Sequence, residues 1–209
     1  MAVDPAMVLS RVRHDLRQPL QAMILLLDVL KTEELAESSV RLVEKLERAA
    51  GNLGVLLDQV LDYAWLTSGE ISVVTTTIPL APLVHRLWQG DVTMEIDNLS
   101  LASDPKLLEM ALRPVMDNAI RQGSASFHCR RENGRLRIEI RDEGPGIPSE
   151  EVARIFDPFF QGESGTAGPG PGLGLATTRQ ATALLGGSIE VASAPGKGSC
   201  FCLDFPLAK

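Results

Sequence analysis

The sequence is short of cysteine, of basic runs and of long apolar stretches, and each shortage removes a class of function. Cys129, Cys200 and Cys202 are odd in number, and Cys200 and Cys202 alternate onto one side of a strand without the spacing of a zinc site. Buried free thiols in a reducing compartment are expected. The longest apolar run, Ala22 to Leu27, falls far short of the roughly 20 residues that span a bilayer, and no signal peptide opens the chain. A cytoplasmic location without membrane contact by this segment follows as the expectation. A net charge of -7 with a pI near 5.0 argues against nucleic acid as a partner. Neither G-x-x-x-x-G-K-[ST] nor G-x-G-x-x-G occurs, so two familiar nucleotide motifs are excluded, and no internal repeat is visible.

What is present falls into two halves. Met1 to Ala6 carries no periodic pattern. From Met7 to about Lys31 apolar residues recur at helical spacing through Val8, Val12, Leu16, Leu20, Met23, Ile24, Leu27 and Leu30. Thr32 to Ser38 is a polar connection, and a second helical run follows from Val40 to Ala64. Two long helices joined by a short turn make an antiparallel hairpin whose stripes would be covered by a second hairpin in a four-helix bundle, so a homodimer is expected, the alternative cover being the remaining domain of the same chain. After Ser68-Gly69 the period changes. Strands are expected at Ile71 to Ile78, Val92 to Ile96, Ala125 to Arg131, Leu136 to Arg141, Ser188 to Ala192 and Ser199 to Phe205, with Asn133-Gly134 turning a hairpin. Helices are expected at Pro82 to Trp88, from Ser103-Asp104-Pro105 to Gly123, at Ser149 to Ile155 and at Leu173 to Leu185. This is a mixed sheet covered on one face by helices.

Two clusters carry chemistry. His14, Asp15 and Gln18 lie within one helical turn: His14 and Gln18 share a face, and Asp15 is close enough to orient the imidazole or take its proton, an arrangement suited to phosphate transfer. Pro19 leaves the Asp15 carbonyl without its helical donor and should bend the helix there. The second cluster is glycine: Gly144 and Gly146, then Gly170, Gly172 and Gly174, on either side of a Gly/Pro-rich loop from Gly162 to Pro171 that is expected to be mobile without a ligand. Such glycines allow a backbone to approach a phosphate, and the helix opening at Leu173 would aim its amides at it. Asp142 could accept from an exocyclic amine and so select adenine. Asn118 offers an oxygen for Mg²⁺. His85 and His128 have no partner at ligand spacing and read as structural. Phe156, Phe159 and Phe160 read as core that anchors the loop, and Arg13 and Arg17 as a solvated helix face.

In this order the motifs resemble the catalytic core of bacterial two-component sensor histidine kinases. The H box is similar to His14-Asp15-Leu16-Arg17-Gln18-Pro19-Leu20, the second half of the N box to Asp117-Asn118-Ala119-Ile120-Arg121, and the G1 box to Asp142-Glu143-Gly144-Pro145-Gly146-Ile147. Ile155 to Phe160 stands for the F box and Gly170 to Leu175 for the G2 box. The resemblance implies an α+β protein: a dimerisation and histidine-phosphotransfer hairpin at 7–68, forming a dimeric four-helix bundle, then an α/β sandwich ATP-binding domain of the gyrase type at 70–209. It also implies ATP and Mg²⁺ as cofactors, an aspartate of a response regulator as partner, Arg121 near the phosphates, and 162–171 as the ATP lid. Two positions depart from the family. Gln18 stands where many members carry Thr or Asn, and Pro114 where the N box has its first asparagine. The alternative is a histidine phosphotransfer protein or pseudokinase with weak autophosphorylation.

Overall fold

A computed structural model describes residues 5–33, 35–69, 71–88, 92–96, 99–162 and 170–207. Its chain divides into two compact units, Met1–Ile71 and Ser72–Lys209. The first is a pair of long helices, α1 (Pro5–Lys31) and α2 (Glu37–Thr67). Helix α1 continues through Pro19 to Lys31, so the proline does not end it. Leu20, Leu27, Val43, Leu61 and Leu66 are buried, and Leu20 lies close against Gly54: a Cβ there would stand 2.9 Å from Leu20 Cδ2. Much of the apolar stripe stays uncovered, with Leu16, Leu25, Leu26, Leu42, Leu46 and Leu53 all exposed. A two-helix layer has one inner face and cannot bury a stripe this wide.

The second unit begins with an extended segment leading to β1 (Thr76–Pro79), followed by α3 (Leu80–Leu87), β2 (Val92–Ile96), β3 (Ser100–Ser103) and α4 (Pro105–Arg121). Then come β4 (Ala125–Glu132), β5 (Arg135–Asp142), a single turn α5 (Ser149–Val152), α6 (Gly174–Leu184), β6 (Ser188–Ser193) and β7 (Ser199–Pro206). The five-stranded sheet runs β2-β4-β5-β7-β6, parallel at β2–β4 and antiparallel elsewhere; β1 and β3 form a separate antiparallel pair. Leu136, Ile138 and Ile140 point from β5 into a core completed by Leu107, Leu108, Leu112, Val115 and Met116 of α4. The alternate residues of β5 face away from this core: Arg137, Glu139 and Arg141, where Glu139 accepts hydrogen bonds from Arg130, Arg137 and Arg141. These pairs hold the Glu139 carboxyl below the usual carboxylate range, the Arg141 hydrogen bond most of all.

Three expectations need correction. Of the Ile71–Ile78 stretch only Thr76–Ile78 is strand, running on to Pro79, because its partner β3 is just four residues long and pairs Thr76 with Ser103 at its far end. That partner, Ser100-Leu101-Ala102-Ser103, was not expected at all: polar serines at both ends hide a two-residue apolar centre. The helix at Ser149 stops at Val152, three residues early, and the backbone continues in turns. Asp104 explains how the entry to this unit is fixed. Its Oδ1 caps α4 by accepting from the N–H groups of Lys106 and Leu107, while Oδ2 accepts from Val74 N–H at 3.0 Å. Among the described residues, no helix is long and apolar enough to cross a membrane.

Candidate functional site

On the hairpin, His14 is open to solvent, with 68% of its side chain exposed, and its Nδ1 lies 3.4 Å from Asp15 Oδ1. An N–H at Nδ1 directed to that carboxylate leaves the Nε2 lone pair free. Gln18 is exposed one turn along. Arg13 and Arg17 also pair across the hairpin: Arg13, partly buried, donates to Asp62 at 2.7 Å, and Arg17, still exposed to solvent, donates to Asp58 at 2.5 Å, tying both flanks of the His14 turn to α2. The matched four-residue spacings, 13/17 on one helix and 58/62 on the other with opposite sign, were a signal that could have found these pairs.

In the second unit the glycines converge on Asp142, the last residue of β5. Its Oδ1 accepts from Gly144 N–H at 2.9 Å and Ser199 N–H at 3.2 Å, which leaves Oδ2 unengaged among the described residues. Partial burial pushes the Asp142 carboxyl up, opposed by those two N–H groups. Behind it the Gly144–Ile147 loop is held by the β6–β7 turn. Gly196 N–H donates to Pro145 O; Ser193 Oγ accepts from Ile147 N–H at 2.9 Å and donates to Gly198 O at 2.8 Å. Gly146, at φ 74°, passes so near Ala194 that a Cβ would lie 2.0 Å from its carbonyl oxygen. Ser193, Gly198 and Ser199 are site residues that sequence reasoning missed, although Gly196-Lys197-Gly198 between two strands marks a tight turn. Gly198 has φ 67°, and a Cβ there would fall 1.9 Å from Asp142 O. Gly198→Ala is therefore expected to cost at least about 1–2 kcal/mol for the left-handed backbone alone. Thermal unfolding should show a lower Tm for the second unit, with Asp142 displaced from its hydrogen bonds to Gly144 and Ser199.

Of the Gly162–Pro171 loop, residues 163–169 lie outside the described residues, and its ends are tied together. Gln161 Nε2 donates to Gly170 O, and Phe159 N–H donates to Gly172 O at 3.0 Å. Gly172, at φ 73°, admits no side chain, since a Cβ would meet Phe160 O at 2.6 Å. Leu173, 1% exposed, anchors the start of α6, and no side chain caps that start, so its first amides have no side-chain cap. The aromatic reading is only partly right. Phe159 is 65% exposed with φ 64°, not core; Arg154 lies over the Phe160 ring at 4.5 Å. Both phenylalanines line a surface cavity of about 510 Å³ together with Glu150, Glu151 and Asp157.

On α4, Asn118 Oδ1 accepts from Arg121 Nη2, so the two residues assigned to metal and phosphate hold each other. Asp117 beside them is half-buried, and desolvation raises its carboxyl against the pull of Arg113 and Arg121. Pro114 does not break α4. It faces α6: a Cβ on Gly174 would stand 3.2 Å from Pro114 Cβ. Among the described residues no group of three or more His, Cys, Asp and Glu could hold a metal ion.

An exposed histidine with its carboxylate on a helical hairpin, joined to a glycine-lined α/β sandwich, defines a phosphoacceptor module linked to a nucleotide-binding module. Comparison with known proteins identifies both. Residues 103–209 match the family described as histidine kinase-, DNA gyrase B-, and HSP90-like ATPase, and residues 6–69 match the His Kinase A (phospho-acceptor) domain. The chain is 35% identical over 220 residues to sensor histidine kinase RcsC of Salmonella typhimurium, covering 97% of this chain and 23% of that protein. It is 31% identical over 215 residues to the sensor-like histidine kinase SenX3 of Mycobacterium tuberculosis, covering 94% of this chain and 52% of that one. Full-length ShkA in complex with AMPPNP shares the fold at a TM-score of 0.81 and 24% identity, over 99% of this chain and 47% of that one. The chain belongs to the histidine kinase-, DNA gyrase B-, and HSP90-like ATPase family and has the makeup of a sensor histidine kinase catalytic core. It spans about a quarter of the length of the RcsC relatives it matches.

Proposed function

We propose that the chain phosphorylates its own His14 from ATP and passes the phosphoryl group to an aspartate of a response regulator. Residues 7–68 act as the dimerisation and phosphotransfer domain and 70–209 as the ATP-binding domain. The observation that carries this reading is His14 itself: exposed, with Asp15 at Nδ1 and Nε2 free. Nε2 attacks the γ-phosphorus in line as the bond to ADP breaks, and Asp15 holds the Nδ1 proton and offsets the charge that develops on the ring. Asp142 Oδ2 accepts from the adenine amine. Gly144, Gly146, Gly170, Gly172 and Gly174 let the backbone close around the nucleotide, with Leu173 setting the α6 amides toward the phosphates. Asn118 Oδ1 suits Mg²⁺ as a single amide oxygen completed by water, and the ion supplies charge neutralisation on the phosphates. Arg121 must then leave Asn118, which frees its guanidinium for the phosphates. The uncovered stripe along both helices supports a homodimer through the hairpin. Incubation with Mg-ATP should leave acid-labile, alkali-stable phosphate on His14; ATP binding without it would favour the pseudokinase reading.

Pro114 is the observation that favours that second reading. Facing Gly174, it puts a ring where an amide could reach the phosphate region, and it removes the N–H that would bond Met110 O, a cost of up to about 3 kcal/mol in a helix interior. Pro114→Asn should raise the autophosphorylation rate severalfold at subsaturating Mg²⁺; an unchanged rate in a folded variant would clear Pro114 of limiting the chemistry. Gln18 reaches one carbon further than Asn and should position water poorly. Regulator dephosphorylation by this chain is expected to be weak, and Gln18→Asn should speed it, as followed by loss of regulator phosphate.

A further inference from the structure

The cysteines on β7 are not buried as the sequence suggested. Cys129 is, but Cys200 and Cys202 are half-buried on the sheet face away from the helices, both as free thiols, with their Sγ atoms 3.8 Å apart. Their neighbours across β5 are Arg141 and Glu139, and across β6 Ala192 and Glu190. We propose that Cys200 and Cys202 form a two-thiol binding site for thiophilic centres that bond two sulfurs at once, trivalent organoarsenicals being the class that fits.

The separation decides between this and the other fates of a thiol pair. Two sulfurs each about 2.3 Å from one pyramidal arsenic(III) centre, with a bond angle of roughly 100°, stand about 3.5 Å apart, and small side-chain rotations close the remaining few tenths of an ångström from the 3.8 Å present. A disulfide would need the sulfurs at about 2.05 Å and the Cα atoms no more than about 6.8 Å apart. Two residues of antiparallel strand span about 6.8 Å, the limit of that range. Strand β7 cannot pucker to shorten the span, because it is hydrogen-bonded to β5 on one side and β6 on the other. A four-ligand metal ion is equally disfavoured, since no third His, Cys, Asp or Glu completes a site among the described residues. Burial, and then Cys202, push the Cys200 thiol up to about 11, so the thiolate that peroxide oxidation needs is scarce at neutral pH. An arsenic(III) oxide supplies its own base. Two As–S bonds form, two S–H bonds and the As–O double bond break, and both protons leave with the oxide oxygen as water; nothing is oxidised or reduced.

The test is titration of the reduced full chain with phenylarsine oxide, read by intact mass. One arsenical per chain is expected, with loss of one water. Trypsin cuts after Lys197, so both thiols fall in peptide 198–209 and Cys129 in another, and the adduct should map to the former. Cys200→Ser and Cys202→Ser should each weaken retention roughly 100-fold by ending two-point attachment, with Cys129→Ser unchanged. Excess monothiol should leave the adduct in place and a dithiol should strip it. An adduct on the Cys129 peptide, stripping by monothiol, or full retention by either single-serine chain would overturn the proposal. Peptide mapping on the unmutated chain keeps the test valid if a variant fails to fold.

Discussion

His14→Ala is expected to abolish acid-labile phosphate incorporation while ATP affinity stays nearly unchanged. The nucleophile sits on α1 in the first unit, and Asp142 and the glycines sit in the second, so removing the imidazole touches none of the groups assigned to the nucleotide. His14 is exposed and packs against nothing in the hairpin core, so the variant should also keep its stability. Asp15→Asn separates positioning from attack: the amide can hold the ring but cannot stabilise an imidazolium, and the rate should fall by about 10²-fold or more. Radiolabel from γ-labelled ATP, with equilibrium binding of a non-hydrolysable analogue measured beside it, tests both variants. Parallel loss of binding in His14→Ala would break the division of labour between the units.

Asp142→Asn should produce the reverse pattern. The substituted oxygen can still accept from Gly144 and Ser199, so the loop stays in place and only the outward atom changes, from carboxylate oxygen to NH₂. That NH₂ would face the adenine amine donor to donor. Losing a hydrogen bond to a charged acceptor costs about 1.5–3 kcal/mol, or roughly 10- to 150-fold in affinity. Discrimination between ATP and GTP should shrink by a similar factor. Because burial raises the Asp142 carboxyl, protonation removes the acceptor at a higher pH than for an ordinary carboxylate. ATP affinity of the unmutated chain should therefore fall as pH drops through that range, whereas the Asn variant should be flat there. Unchanged affinity in the variant would mean that adenine binds elsewhere.

The sequence by itself determined the hairpin, most of the strands and helices, and the order of the motifs. Helical period along Val12, Leu16 and Leu20, the Asn133-Gly134 turn and the Asp104-Pro105 helix start are local signals, set by which backbone angles and faces those residues allow. Local signals also exposed His14-Asp15, because neighbours on one turn must lie together. What tertiary structure decided are the contacts between residues far apart in the chain. Arg13 and Arg17 met aspartates about 40 to 50 positions away. Ser199 and Gly198 closed on Asp142 because β5 and β7 pair in a register that sets Asp142 beside Ser199. The short strand β3 had no pattern of its own and exists because β1 offers it a ladder. Phe159 shows the limit most directly: its composition reads as core, but a hydrogen bond from its N–H to Gly172 holds it in the left-handed region with its ring outside. A sequence states which side chain is apolar; only the closed chain settles which way the backbone turns it.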